Sequence, residues 1–146
     1  MPYFIPNESI VDAIVYAALS GVDMRMLVPG ISDSRIVNAA SSSYYGRLLK
    51  AGVKIYRYRK GFVHAKTIVS DDALAVVGSA NMDIRSFDLN FEINALVFSK
   101  EINSQLCENF MKDIEGSEEL NEKKWLQRGW LKQFGNAIAR LISPLL

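Results

Sequence analysis

Residues 22–58 read VDMRMLVPGISDSRIVNAASSSYYGRLLKAGVKIYRY, and this run decides the class of fold. Val22, Met24, Met26 and Val28 alternate with Asp23, Arg25 and Leu27 ahead of Pro29-Gly30, which is the two-residue period of a strand. From about Ser34 to Lys50 the apolar positions Ile36, Val37, Ala40, Tyr44, Leu48 and Leu49 recur at helical spacing, with Gly52 just beyond. Val53 to Tyr58 returns to strand character. Strand, helix and strand with short connections predict a parallel βαβ crossover. Upstream, Asn7 caps a helix over 7–19 that closes at Gly21. Downstream, Phe62 to Val69 and Ala73 to Val77 flank Ser70-Asp71-Asp72 as a hairpin, Phe91 to Phe98 forms a further strand, and Glu101 to Ile114 forms a helix. The expected class is α/β: a mixed β-sheet flanked by helices, an αβα sandwich.

A chain of 146 residues suits one domain of ordinary size, and 49% hydrophobic with 23% charged residues excludes disordered and fibrous classes. Seventeen Lys plus Arg against sixteen Asp plus Glu leave a formal charge of +1, so no nucleic-acid partner is expected. Cys107 is the single cysteine and reads as a small half-buried thiol. No apolar run approaches the roughly 18 residues that span a bilayer, and Met1-Pro2-Tyr3 does not open a secretory signal. The single histidine, His64, is the most restrictive count. His64 and Cys107 fall short of a zinc ligand set, and without a Gly-x-Ser-x-Gly elbow a serine hydrolase has little support.

The chain turns polar and charged from Gly116 to Lys124, which suggests a catalytic unit over 1–116 and a hinge with an amphipathic tail over 117–146. In a helix over Trp125 to Ile142, Leu126, Trp130, Phe134, Ala137, Ile138, Leu141 and Ile142 share one side, with Arg128, Lys132, Gln133, Asn136 and Arg140 opposite. Such a helix either packs on its own domain or lies in a membrane interface.

Chemistry concentrates at His64-Ala65-Lys66, where a strand period puts imidazole and ammonium on one face. Gly78-Ser79-Ala80-Asn81 follows the next strand, with a glycine that lets backbone amides approach an anion and an amide side chain beside it. Asn90-Phe91-Glu92 adds a carboxylate. Imidazole, ammonium, hydroxyl, amide and carboxylate are the parts that handle a phosphodiester.

The pattern His64-x-Lys66-x-x-x-x-Asp71, six residues, then Gly78-Ser79-x-Asn81 resembles the phospholipase D superfamily signature. Asn81-Met82-Asp83-Ile84-Arg85-Ser86-Phe87, Asn90-Phe91-Glu92, Pro2-Tyr3-Phe4-Ile5-Pro6 and Ala18 to Pro29 look like the second, C-terminal half of bacterial cardiolipin synthases. The resemblance implies a phospholipase D-like fold and phosphatidyl transfer between two phosphatidylglycerol molecules through a phosphohistidine, with release of glycerol. It implies that Glu92 orients the His64 ring, that Lys66 and Asn81 stabilise phosphoryl charge at ~3 kcal/mol per donor, and that Ser79 supports ring or phosphate. Asp71 belongs to the motif but falls at the hairpin turn, where its expected role is structural. No cofactor or metal is expected.

One imidazole cannot both attack phosphorus and protonate the leaving oxygen. The superfamily brings two motif copies together, so the expected partners are a missing N-terminal half or a second copy, along with phosphatidylglycerol and an anionic membrane surface. His64 would be nucleophile or general acid, with precedent favouring acid/base. The whole protein would be membrane-anchored and this segment peripheral, on the cytoplasmic side. The alternative is a homodimeric one-motif phosphodiesterase or nuclease.

Overall fold

The first strand is a buried apolar pair: Phe4–Ile5 (β1) is closed by Pro6, which cannot extend a ladder. In the computed structural model, residues 2–31, 34–71 and 74–142 are described, without the side chains of 131–133 and 142. Glu8–Leu19 (α1) begins where the Asn7 side chain accepts from the Ile10 amide at 3.0 Å, as the sequence led one to expect. Arg25–Pro29 (β2), Arg35–Lys50 (α2) and Lys54–Tyr58 (β3) form the crossover, with β2 and β3 parallel and Arg25 level with Lys54. Ser34 caps α2 through the Val37 amide.

Thr67–Ser70 (β4) and Leu74–Gly78 (β5) form the expected antiparallel hairpin, with Asp71 at its turn in the left-handed region at φ 47°. Met82–Asp83 (β6) pairs parallel with β1 and ends at once, because Asp83 caps Ile84–Asp88 (α3) through the Ser86 amide. Asn94–Val97 (β7) pairs antiparallel with β5. Lys100–Glu115 (α4) is capped by Ser99 and reaches β2, β3, β4 and β5. Ser117–Glu119 (β8) runs antiparallel to β3, and Glu122–Leu126 (α5) and Trp130–Ile142 (α6) follow. Parallel and antiparallel pairs flanked by helices make the chain α/β with mixed sheets, as expected.

Several boundaries differ from expectation. One continuous sheet was expected, whereas the described strands fall into three short sheets, β1-β6, β2-β3-β8 and β4-β5-β7. The strand expected over 62–69 begins only at Thr67, so His64 and Lys66 lie in the segment leading into it. The strand expected over 91–98 shrinks to four residues. The charged stretch expected as a hinge is paired structure: β8 turns Glu118 and Glu119 to solvent on the sheet edge, then Leu120 and Trp125 enter the core. The helix expected over 125–142 is broken into α5 and α6 around Gly129. Cys107 is exposed.

The core centres on α2. Tyr44, Tyr45, Leu48 and Leu49 pack with Phe4, Val11, Val28 and Ile55, and Tyr45 meets the Trp125 ring at 5.5 Å. Helix α6 lies against α2, but in an unusual sense. Ala139 is buried and Arg140 reaches both Glu8 and the Tyr44 ring, while Trp130, Phe134, Ile138 and Leu141 face outward. The helix thus packs on its own domain, as one of the two sequence readings had it, while its large apolar residues remain exposed. Ile55 has no exposed surface. Ile55→Ala is expected to cost about 2–5 kcal/mol, read as a lower urea midpoint at unchanged slope.

Candidate active site

Strand β5 supplies the frame on which the site is built, because it pairs with β4 on one side and β7 on the other. The Gly78 amide donates to the Lys66 carbonyl at 3.2 Å, and the Ser79 amide donates to the Ile93 carbonyl at 3.0 Å. Both bonds carry the two ladders past their regular ends. They hold the His64–Lys66 segment, Ser79 and the residues before β7 at one end of the sheet. Gly78 is required there, since a Cβ would lie 2.4 Å from the Ile93 carbonyl oxygen and 2.7 Å from the Asn94 Cα.

His64 is exposed, and the Lys66 Nζ lies 3.1 Å from its Nδ1 and 3.2 Å from its Nε2. Phe62 and Tyr3 flank the imidazole, with ring centroids at 5.5 Å and 6.4 Å. Tyr3 reaches it because β1 pairs with β6, just beyond the Ser79–Asn81 segment. The expected convergence of imidazole and ammonium is therefore present without a regular strand beneath it. Desolvation pushes the Lys66 ammonium below its ordinary pKa, against the opposing charges of Glu92 and Asp83.

Glu92 is held differently from the expectation. Its carboxylate accepts from the Ser79 hydroxyl and from the Asn90 amide at 3.3 Å, and no carboxylate among the described residues touches the His64 ring. The Ser79 hydroxyl, then Asn90 and Ser86, hold the Glu92 carboxyl below its ordinary pKa, with Lys66 adding to this and burial opposing it. Ser79 also accepts from the Ile93 amide at 3.0 Å, so its hydroxyl is bound within the protein. Asn90 and Ser86 as partners of Glu92, and Tyr3 and Phe62 as walls for His64, were not assigned from the sequence. The only signal was their place inside motifs already singled out.

Asn81 stands slightly apart. Its amide nitrogen on the backbone donates to Ser86 Oγ at 3.0 Å, and its side chain lines a cleft of about 360 Å³ with Tyr3, Asp83, Arg85 and Asn90. The Asn81 Oδ1 is buried without a hydrogen-bond partner. Asp71 lies at the β4–β5 turn, where the buried Asn103 amide of α4 donates to its carbonyl at 2.7 Å. Five of the six residues proposed from the sequence thus gather around one end of the β4–β5–β7 sheet and the adjoining cleft. Asp71 lies at the opposite end of the hairpin.

Residues 1–114 match the family described as cardiolipin synthase, PLD-like domain. The chain belongs to this family. It is 45% identical over 145 residues to a cardiolipin synthase of Clostridium perfringens, covering 99% of this chain and 30% of that protein. It is 47% identical over 146 residues to one of Listeria monocytogenes, again over 99% of this chain and 30% of that protein. The chain thus spans under a third of the length of the curated cardiolipin synthases it matches. Among solved structures, Nuc of Salmonella typhimurium, a phospholipase D family member, has a TM-score of 0.69 at 19% identity over 83% of this chain and 79% of that one. Phosphatidylserine synthase of Haemophilus influenzae has a TM-score of 0.69 at 15% identity over 99% of this chain and 38% of that one. Both show the phospholipase D-like fold.

Gly78→Ala should force β7 away from β5, lowering the melting temperature by several degrees and raising amide exchange at Ile93 and Asn94. Because the folded Glu92 carboxyl titrates below its ordinary value, its contacts stabilise the fold above that ordinary value. That contribution is lost as pH falls through the lowered one. Glu92→Gln should flatten this acid limb in melting temperature against pH.

Proposed function

We propose that this chain is the C-terminal catalytic half of a cardiolipin synthase, transferring a phosphatidyl group between two phosphatidylglycerol molecules with release of glycerol. The observation that carries the reading is the exposed His64 ring with the Lys66 ammonium at its nitrogens, beside the Ser79–Glu92 pair. An exposed imidazole can reach phosphorus or a leaving oxygen, whereas a core histidine cannot.

In the first step an imidazole nitrogen forms a bond to phosphorus while the bond to the glycerol oxygen breaks, and a second imidazole gives that oxygen its proton. In the second step the terminal hydroxyl of another phosphatidylglycerol displaces the first imidazole from phosphorus, returning its proton to the second. The two roles are divided between His64 and an imidazole of the other half, with His64 as acid/base. Without substrate, the Lys66 ammonium lies at the ring nitrogens of His64. A phosphate entering between them takes the ammonium as its own counter-charge and leaves the ring free to pass its proton to the leaving oxygen. Asn81 faces the cleft where the headgroup hydroxyls would lie.

The chain's surface supports the need for another half. Phe91, Ile93, Leu96 and Phe98, on and around β7, are largely exposed beside the site, with Ile68 and Val77 on the neighbouring strands. Such a patch marks an interaction surface, and its place next to His64 suits the missing phospholipase D-like half or a second copy. The outward apolar residues of α6 support peripheral attachment to an anionic bilayer; the cytoplasmic side is part of the proposal. Among the described residues no helix is long and apolar enough to cross a membrane.

The test uses labelled phosphatidylglycerol and the full-length enzyme. His64→Ala should reduce cardiolipin formation by at least about 10³-fold while leaving the melting transition in place, on the scale of a lost proton carrier or nucleophile. Retention of more than about a tenth of the rate removes His64 from the mechanism. The 146-residue chain alone should make no cardiolipin and should gain activity on addition of the other half.

A further inference from the structure

A cavity of about 680 Å³ lies away from the His64 site, between α2, β3, α5 and α6. Its walls carry Arg35, Arg57, Lys124 and Arg128, and none of its lining residues belongs to the catalytic set. Two of the guanidiniums lie against one buried ring. The Arg128 guanidinium carbon is 3.2 Å and that of Arg57 5.2 Å from the centroid of Trp125, which is 6% exposed. The Arg128 Nε donates to the Trp125 carbonyl at 2.9 Å, which fixes the direction of its fork.

The acidic residues on the rim are already engaged. Glu118 pairs with Arg59, and Glu119 hydrogen-bonds to Tyr56. Arg35, Arg57 and Lys124 take part in none of the ion pairs among the described residues. Burial, with the nearby charge of Arg57, holds the Arg128 guanidinium down to about 10. Cation–π attraction to the indole offsets only part of this crowding of like charge. A cavity that gathers cations on an aromatic wall is a receptor for an anion, and planar guanidiniums favour the paired oxygens of a phosphate.

The roof of the cavity identifies the source of that anion. Asn136 of α6 lines it, while Trp130, Phe134, Ile138 and Leu141 on the same helix face outward. An apolar ridge beside a basic cleft is the arrangement by which a peripheral protein engages acyl chains and headgroups together. We propose that this cleft binds the phosphate of an anionic lipid, as a docking site separate from the catalytic one. This rests on the peripheral-membrane part of the proposed function and not on the role of His64.

The experiment uses the full chain carrying Trp130→Phe, which keeps an apolar aromatic side chain on the ridge, so that emission reports Trp125. Vesicles of phosphatidylglycerol with phosphatidylcholine should change that emission saturably, and pure phosphatidylcholine vesicles should not. Lys124→Gln, an exposed change that spares the core, and Arg57→Gln should each raise the half-saturating lipid concentration about fivefold, the effect of one basic residue near a membrane surface. His64→Ala should leave the titration unchanged. Equal response to both vesicle types, or charge variants that titrate like the parent, overturns the proposal. Saturation by inorganic phosphate without a further response to vesicles overturns the lipid assignment. Loss of the signal in His64→Ala returns the effect to the catalytic site.

Discussion

The close approach of β7 to Gly78 is the constraint on which the site depends. Only a residue without a side chain lets the Ile93 carbonyl and Asn94 come so near the end of β5. That proximity makes one strand the shared partner of two others, so Lys66 is tied to Gly78 on one side and Ile93 to Ser79 on the other. The carboxylate of Glu92 is brought to the Ser79 hydroxyl by the same backbone bonds. The geometry of the candidate site is thus fixed by the main chain before any catalytic side chain contributes, which suits a centre that must hold several charged groups close together.

A second organising element is α2, whose buried face carries two tyrosines along with Leu48 and Leu49. Ion pairs surround that packing: Arg47 of α2 pairs with Glu8 and Asp12 of α1, and Arg140 of α6 reaches the same Glu8. These pairs are half exposed and individually weak. They register α1 and α6 on α2, while Trp125 seals the end of the core. The same tryptophan is the floor of the basic cleft, so core packing and charge placement share one residue.

The crossover from β2 to β3 was legible because its periodicity and punctuation agree: alternation, a helical stripe and glycine stops all point one way. Asn7 and Ser34 announced their caps by residue type. His64, Lys66, Ser79 and Glu92 were legible as a group from motif spacing and the β4–β5 hairpin, although the strand period expected at His64 and Lys66 is absent. What escaped depended on neighbours distant in sequence. Serine and two glutamates give no strand signal, yet β8 forms because β3 offers it an edge. Trp125 looked like part of an amphipathic tail because its burial comes from Tyr45, eighty positions earlier. The partner of Glu92 was a matter of side-chain reach that no spacing encodes.

Helix α6 also reverses the usual relation between residue size and freedom to vary. In an ordinary surface helix the bulky apolar positions are the constrained ones and the small or charged ones drift. Here Ala139 is wedged against the body of the protein and Arg140 is tied at its tip, whereas Trp130, Phe134, Ile138 and Leu141 keep much of their surface open. The ridge should accept exchange among large greasy side chains, and the single methyl of Ala139 should tolerate almost nothing bigger.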